Sequence, residues 1–209
     1  VGKRSKGVLP EAAAVDTLRE SLRVEGEVGK LKRLAEVGTL VFVPTHSSHL
    51  DAALVSWAIH RAGLPPVVYG AARNLFSQPL MAFFMANLGA YKVDRRRRFR
   101  LYRRVLKAYS QVLLERGYHS LFFPGGMRSR GNDVERKLRL GLLSTALEAY
   151  GRNVIANRNA PNIYVVPVVL GYSHVLEAET LIDDYLADEP SRRPIIDADE
   201  FRDVRRIRA

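Results

Sequence analysis

Two short stretches of the 209-residue chain hold the side chains that could do chemistry. The first, Pro44-Thr45-His46-Ser47-Ser48-His49-Leu50-Asp51, places an imidazole and a carboxylate five residues apart. On a continuous helix that spacing separates them by about 140°, so they could not face each other there. With His46 still in a loop and Asp51 in the first helical turn, the chain can fold back and let the carboxylate accept an imidazole N–H. That arrangement fixes the tautomer, raises the basicity of the other nitrogen and makes a general base for a hydroxyl nucleophile. The same residues also suit a structural role, with His49 and Asp51 capping a helix and His46 bonding a backbone carbonyl. Two His and one Asp could also form a metal triad, but the histidines are three apart and Ala52 stands where a further His would complete a hydrolase-type set, so no metal is expected. Ser47 and Ser48 are poor nucleophile candidates, because no G-x-S-x-G elbow surrounds either.

The second stretch is Pro124-Gly125-Gly126-Met127-Arg128-Ser129-Arg130. Its glycines let backbone N–H groups converge, and its two guanidinium forks suit a phosphate dianion. It is neither a Walker loop nor a G-x-G-x-x-G fingerprint. A second basic cluster lies at 92 to 104, with eight Lys or Arg and one Asp. Much of it reads as solvated or membrane-facing surface, and only its start, Lys92 and Arg95, reads as a site candidate.

Both stretches follow predicted strands, which fixes the scaffold they need. Residues 10 to 36 have amphipathic helical spacing with a break near Gly26, a helical cover. Strands are expected at 39 to 43, 67 to 69, 90 to 93, 119 to 123 and 162 to 170. Helices are expected at 51 to 61, at 71 to 88 with an interruption at Pro79, at 97 to 115 closed by Gly117, and at 134 to 150. Strand followed by helix, repeated, implies an α/β domain with a largely parallel sheet and helices on both faces. In such sheets loops converge at the carboxyl ends of the strands. The expected division is a helical segment at 1–38, a domain at 39–186 and a tail at 187–209.

Composition bounds the partners. With 47% hydrophobic and 26% charged residues the chain can bury a core, and with no cysteine it has no thiolate metal site, disulfide or cysteine nucleophile. A formal charge of +11 points to an anionic substrate or surface. The uncharged run Asn74 to Tyr91 carries Ser77, Gln78, Pro79 and Asn87, so no membrane-spanning helix is expected. The chain opens on Val1 with no basic-then-apolar leader, and no signal peptide is expected. No nucleic-acid recognition motif is present, so specific nucleic-acid binding is not expected.

Four strings in order resemble the motifs of the glycerolipid acyltransferase family. His46 and Asp51 match its H-x4-D element, and the run from His46 to Asp51 looks like the H-R-S-H-M-D form of the glycerol-3-phosphate branch, with Ser47 in place of the arginine. Gly89-Ala90-Tyr91-Lys92-Val93-Asp94-Arg95 is similar to the second motif. Phe123, Pro124, Gly126, Arg128, Ser129 and Arg130 match the F-P-E-G-x-R-S-R motif, with Gly125 in place of its glutamate and Met127 in place of threonine or glycine. Val165-Val166-Pro167-Val168 matches the fourth, and Gly171-Tyr172-Ser173-His174 and Arg139 with Gly141 again resemble the glycerol-3-phosphate branch.

The resemblance covers residues 40 to 180. It implies acyl transfer from an acyl-CoA or acyl carrier protein thioester to a hydroxyl of glycerol 3-phosphate, without a cofactor, by a peripheral protein on the cytoplasmic face of an anionic membrane. His46 would be the base and Asp51 its orienter. Arg95, Arg128 and Arg130, with Lys92 and Arg139, would hold the phosphate, and Gly125, Gly126 and Ser129 would serve substrate or oxyanion. The alternatives are a lysophosphatidate or dihydroxyacetone-phosphate acceptor, or a basic phospholipid-binding module without catalysis. The apolar residues Leu75, Phe76, Leu80, Met81, Phe83, Phe84, Met85 and Leu88 are expected either in the core or along an acyl channel or bilayer interface.

Overall fold

The structure, a computed structural model, describes residues 22–48, 50–77, 79–94, 96–97, 99–126, 138 and 140–173. Its elements in chain order are α1 (Val28–Val37), β1 (Gly38–Pro44), α2 (Asp51–Arg61), β2 (Val68–Ala72), a 3-10 turn (Arg73–Phe76), α3 (Pro79–Asn87), β3 (Ala90–Val93), α4 (Arg100–Glu115), β4 (Ser120–Leu121), α5 (Ser144–Ile155) and β5 (Asn162–Val168). The five strands form one sheet in the order β3-β2-β4-β1-β5, and every adjacent pair is parallel. This is the α/β class expected from the alternation of strands and helices.

β1 is flanked on both sides, pairing with β4 at Val41 to Ser120 and with β5 from Gly38–Asn162 through Pro44–Val168. Its run Thr39-Leu40-Val41-Phe42-Val43 is β-branched and aromatic, as a strand covered on both faces requires. Successive side chains leave such a strand on opposite faces. Leu40 and Phe42 therefore enter one core with Val55 and Ile59 of α2, against which Leu31 and Leu34 of α1 and Met85 of α3 also pack. Val41 enters the other with Leu114 of α4 and Ala146 and Ala149 of α5. Helices α1 to α3 thus cover one face, and α4 and α5 the other.

Three boundaries differ from expectation for identifiable reasons. Pro79 heads α3 instead of interrupting a longer helix, because the first helical turn needs no N–H from it. Among the described residues the helix expected from 134 begins at Ser144, whose amide reaches Leu140 and whose hydroxyl reaches the Gly141 carbonyl. It then runs past Tyr150, through Gly151, and stops where Asn157 adopts φ 49° and Arg158 N–H bonds the Asn153 carbonyl in a Schellman-type ending. Gly89, at φ +80°, makes the turn into β3 at a point where a Cβ would lie 2.5 Å from the Val67 carbonyl. Within the N-terminal cover the described helix is α1 alone. Residues 22–27 of that expected cover are not helical, with Gly26 at φ 130° just before α1, and residues 1–21 and the C-terminal tail lie outside the described residues.

Candidate active site

β1 and β4 are neighbours, so the two chemistry-bearing loops leave the sheet side by side. The Phe122 amide donates to the Phe42 carbonyl at 2.9 Å, carrying the pairing to the carboxyl ends of both strands. There the His46 ring stacks on Phe123, with centroids 4.2 Å apart and planes 28° from parallel. The first motif and the third are joined by that ring contact.

Asp51, the first residue of α2, is fully buried. Its Oδ2 accepts from His46 Nδ1 at 2.8 Å and from the amides of Ser47 at 2.6 Å and Ser48 at 3.0 Å. Its Oδ1 accepts from the Tyr172 hydroxyl. Burial pushes the carboxyl pKa up, but the bonds from His46, Tyr172, Ser48 and Ser47 outweigh it and hold the group below its ordinary value. Asp51 is therefore a carboxylate at neutral pH, and a carboxylate only accepts. Nδ1 of neutral His46 must then carry the proton, which leaves the Nε2 lone pair free to take one. The loop is folded back as a general base requires, and the imidazole bonds a carboxylate rather than a backbone carbonyl.

Tyr172 belongs to the fourth-motif continuation, and nothing in the sequence pattern assigns it a role. It arrives at the site because the β1–β5 pairing continues past the strand ends. Thr45 N–H donates to the Val168 carbonyl, and Leu170 N–H donates to Thr45 Oγ1, both at 3.1 Å. Two residues further on, the phenol meets Asp51.

The His46 side chain, 19% exposed, opens on a cavity of about 320 Å³ on the α4/α5 face of the sheet. Val41, Ala72 and Val93 form the floor, Leu106 and Leu114 of α4 one wall, and Leu142, Leu143 and Ala146 the other. Tyr91 also lines it, and burial pushes its phenol pKa up, so it stays neutral there. A chamber of this size, mostly apolar with a few polar groups, is of the kind that holds a small ligand. Among the described residues two cations reach it, Arg103 and Lys107 of α4. Arg103 belongs to the 92 to 104 cluster, much of which reads from sequence as solvated or membrane-facing surface, and Lys107 follows it on the same helix. The spacing 103, 107, 110, 114 marks them out, because these positions share one stripe of the helix and Ser110 and Leu114 of that stripe are buried.

The other site candidates divide three ways. Lys92 is exposed, its ammonium 5.1 Å from the Phe76 ring centroid, on the pleat face opposite the cavity-lining Tyr91 and Val93, so the structure does not bring it to His46. Gly126 borders the cavity at φ +74°, but its N–H is committed to the Phe123 carbonyl at 3.1 Å and is not an oxyanion donor in this geometry. Gly125 lies in the same turn. Arg95, Arg128, Ser129, Arg130 and Arg139 lie outside the described residues, as does His49. Of the apolar set expected in the core or a channel, Phe76 and Met85 pack on the α2-side core, Phe83 and Leu88 are exposed, and none of these four lines the cavity. The side chains of Leu75, Leu80, Met81 and Phe84 lie outside the described ones. Asp94 is structural. Its carboxylate accepts from Arg73 and Arg97 at 3.2 Å and from the Arg96 amide at 3.1 Å, which ties down the turn after β3.

The acyltransferase family profile matches residues 25–171, which spans every element just described. The chain belongs to the acyltransferase family. Its curated relatives include the glycerol-3-phosphate acyltransferases of Haemophilus ducreyi, 38% identical over 156 residues, and of Aeromonas hydrophila, 35% identical over 167 residues. These matches take in 72% and 78% of this acyltransferase chain but only 18% and 20% of the relatives, so the chain spans about a fifth of their length. Among solved structures, the 1-acyl-sn-glycerophosphate (LPA) acyltransferase of Thermotoga maritima is similar at 15% identity with a TM-score of 0.40, over 87% of this chain and 90% of that one.

Proposed function

We propose that this acyltransferase moves a fatty acyl group from an acyl-CoA or acyl carrier protein thioester to a hydroxyl of glycerol 3-phosphate, with His46 as general base. The observation that carries the reading is the buried Asp51 carboxylate holding His46 Nδ1 at 2.8 Å at the edge of an apolar cavity. Nε2 takes the acceptor hydroxyl proton as the oxygen attacks the thioester carbonyl. The tetrahedral intermediate collapses, the C–S bond breaks, and the thiolate leaves with the proton that His46 returns. Asp51 stabilises the imidazolium formed in between. No acyl-enzyme is needed, because the acceptor is itself the nucleophile.

The cavity beside His46 suits the acyl chain, and Arg103 and Lys107 supply positive charge at its α4 wall for the phosphate-bearing substrates. The names of the relatives and the fourth-motif continuation through Tyr172 favour glycerol 3-phosphate over lysophosphatidate as acceptor. Peripheral attachment to an anionic membrane is the setting in which both substrates meet.

The test is labelled palmitoyl-CoA and palmitoyl carrier protein offered with glycerol 3-phosphate, lysophosphatidate and dihydroxyacetone phosphate in parallel. Product is expected from glycerol 3-phosphate. Exclusive turnover of another acceptor would reassign the substrate, and binding of glycerol 3-phosphate without turnover of any acceptor would make the chain a phosphate-binding module.

A further inference from the structure

One apolar stripe of α4 faces away from the protein, separate from the Leu106 and Leu114 that line the cavity. At about 100° per residue, Leu101, Val105, Tyr109 and Val112 fall within roughly 80° of arc, and all four are exposed, Leu101 at 68% and Val105 at 57%. The buried positions of the same helix are Ser110, Gln111 and Leu114. An amphipathic helix ordinarily turns its apolar residues to the core, whereas α4 buries Ser110 and Gln111 beside Leu114 and leaves this second apolar stripe to solvent. Leu147, Tyr150 and Val154 of the neighbouring α5, spaced i, i+3, i+7, are exposed as well. Apolar surface concentrated in this way marks a docking face.

The charge around the stripe says what docks. Arg100 and Arg104 run along one edge of it, Arg97 stands just before the helix, all three are exposed, and no acidic residue occurs from Arg100 to Leu114. A second copy of this chain, meeting the face across a twofold axis, would set these cations near their own counterparts. An anionic bilayer meets them with opposite charge and offers acyl chains to the stripe. We propose that the outward face of α4 is a lipid-docking surface that lies along an anionic membrane with Leu101, Val105, Tyr109 and Val112 in the interface. The inner stripe of the same helix carries Arg103 and Lys107 of the cavity wall, so docking would set that wall beside the headgroups. The proposal deepens the acyl-transfer reading, on which its purpose rests.

The test is sedimentation of the 209-residue chain with phosphatidylglycerol vesicles and, separately, phosphatidylcholine vesicles. Three variants accompany it: Leu101→Ser with Val105→Ser, Arg100→Glu with Arg104→Glu, and Val37→Ser as an exposed apolar control on the opposite face of the sheet. The parent and the control should pellet with phosphatidylglycerol and much less with phosphatidylcholine, and each double variant should lose about tenfold or more in apparent affinity. Thermal melts establish that the variants fold, and the Arg100→Glu with Arg104→Glu pair tests the same face should the serine pair not fold. Three results would overturn the proposal: a parent left in the supernatant at low salt, a serine pair that binds like the parent, or a lipid-free dimer that the serine pair splits while neither form binds vesicles. Acyl transfer to glycerol 3-phosphate in vesicle-free buffer separates the two readings. Parental rates in the serine pair with binding lost isolate docking, and vesicle binding by a parent that transfers nothing to any acceptor sinks the acyl-transfer reading alone.

Discussion

The two faces of the sheet are built on different terms. On the α1/α2/α3 side Leu40, Phe42, Val55, Ile59, Leu64, Val67 and Tyr69 form the larger buried cluster, and the partly buried side chains of three helices pack around it. On the α4/α5 side the buried cluster is Val41, Leu114, Ala146 and Ala149, beside a cavity that opens toward His46 and beneath helices that show apolar residues to solvent. Both faces leave room, for a cavity of about 540 Å³ also lies between α1, α2 and the β1/β5 edge, but only the one on the α4/α5 side reaches His46. A central strand such as β1 can serve both faces, because its period of two sends Leu40 and Phe42 to the stabilising side and Val41 to the reactive one.

The largest effect should separate catalysis from folding. His46→Ala removes the proton acceptor and should lower kcat by roughly 10²–10⁴-fold, while thermal unfolding stays near the parental midpoint, since the ring is at the cavity edge and not in the core. The reverse signature is expected across the sheet: Leu40→Ala should cost about 2–5 kcal/mol in denaturant unfolding through the cavity it leaves. Leu142→Ala, in the half-buried cavity wall, should cost less and act mainly by changing KM for long-chain thioesters, a split visible when donors of different length are compared. If the two leucines lost equal stability, the contrast between the faces would fail.

Tyr172→Phe should have a smaller effect. It removes a donor to Asp51 Oδ1 while His46, Ser47 and Ser48 keep Oδ2 occupied. The expected outcome is a fall in kcat of about fivefold with KM little changed, corresponding to the roughly 1 kcal/mol of a typical hydrogen bond, and an Asp51 pKa that moves up. Steady-state kinetics across pH checks both.

The smallest effect concerns pH and the β1 backbone. His119, in the turn before β4, accepts the Leu40 N–H through Nδ1 at 2.9 Å, and burial lowers its pKa from 6.5. The unfolded chain then binds the proton first as pH falls. Stability should be intact above about pH 6.5 and decline below it until the depressed folded value is passed. His119→Gln, which can still accept that bond, should flatten the slope of stability against pH in this window. An unchanged slope would assign it to other groups.

Much of this architecture is legible in the sequence, and the physical range of each interaction explains what is not. The five strands follow from β-branched runs punctuated by Gly and Pro, and the His46–Asp51 pair from a spacing within one loop, where local geometry decides. Tyr172 meets Asp51 across 121 residues, a closure that depends on the β1–β5 register and not on any local pattern. The run from Asn74 to Tyr91 stands out because it is apolar, yet hydrophobicity does not say which face of a sheet a residue joins. Lys92 shows the same limit, although the alternation Tyr91, Lys92, Val93 already places it opposite its neighbours. Arg103 and Lys107 are hidden by the number of charges around them, and only their helical phase sets them apart from Arg100 and Arg104.

The most direct test of a catalytic His46 is single-turnover transfer from labelled palmitoyl-CoA and palmitoyl carrier protein to glycerol 3-phosphate by the parent and His46→Ala side by side, each matched for thermal midpoint. Product from the parent and at least a hundredfold slower formation in the variant is predicted. Equal rates from the two proteins would contradict it, because the Asp51-held imidazole would then be no base.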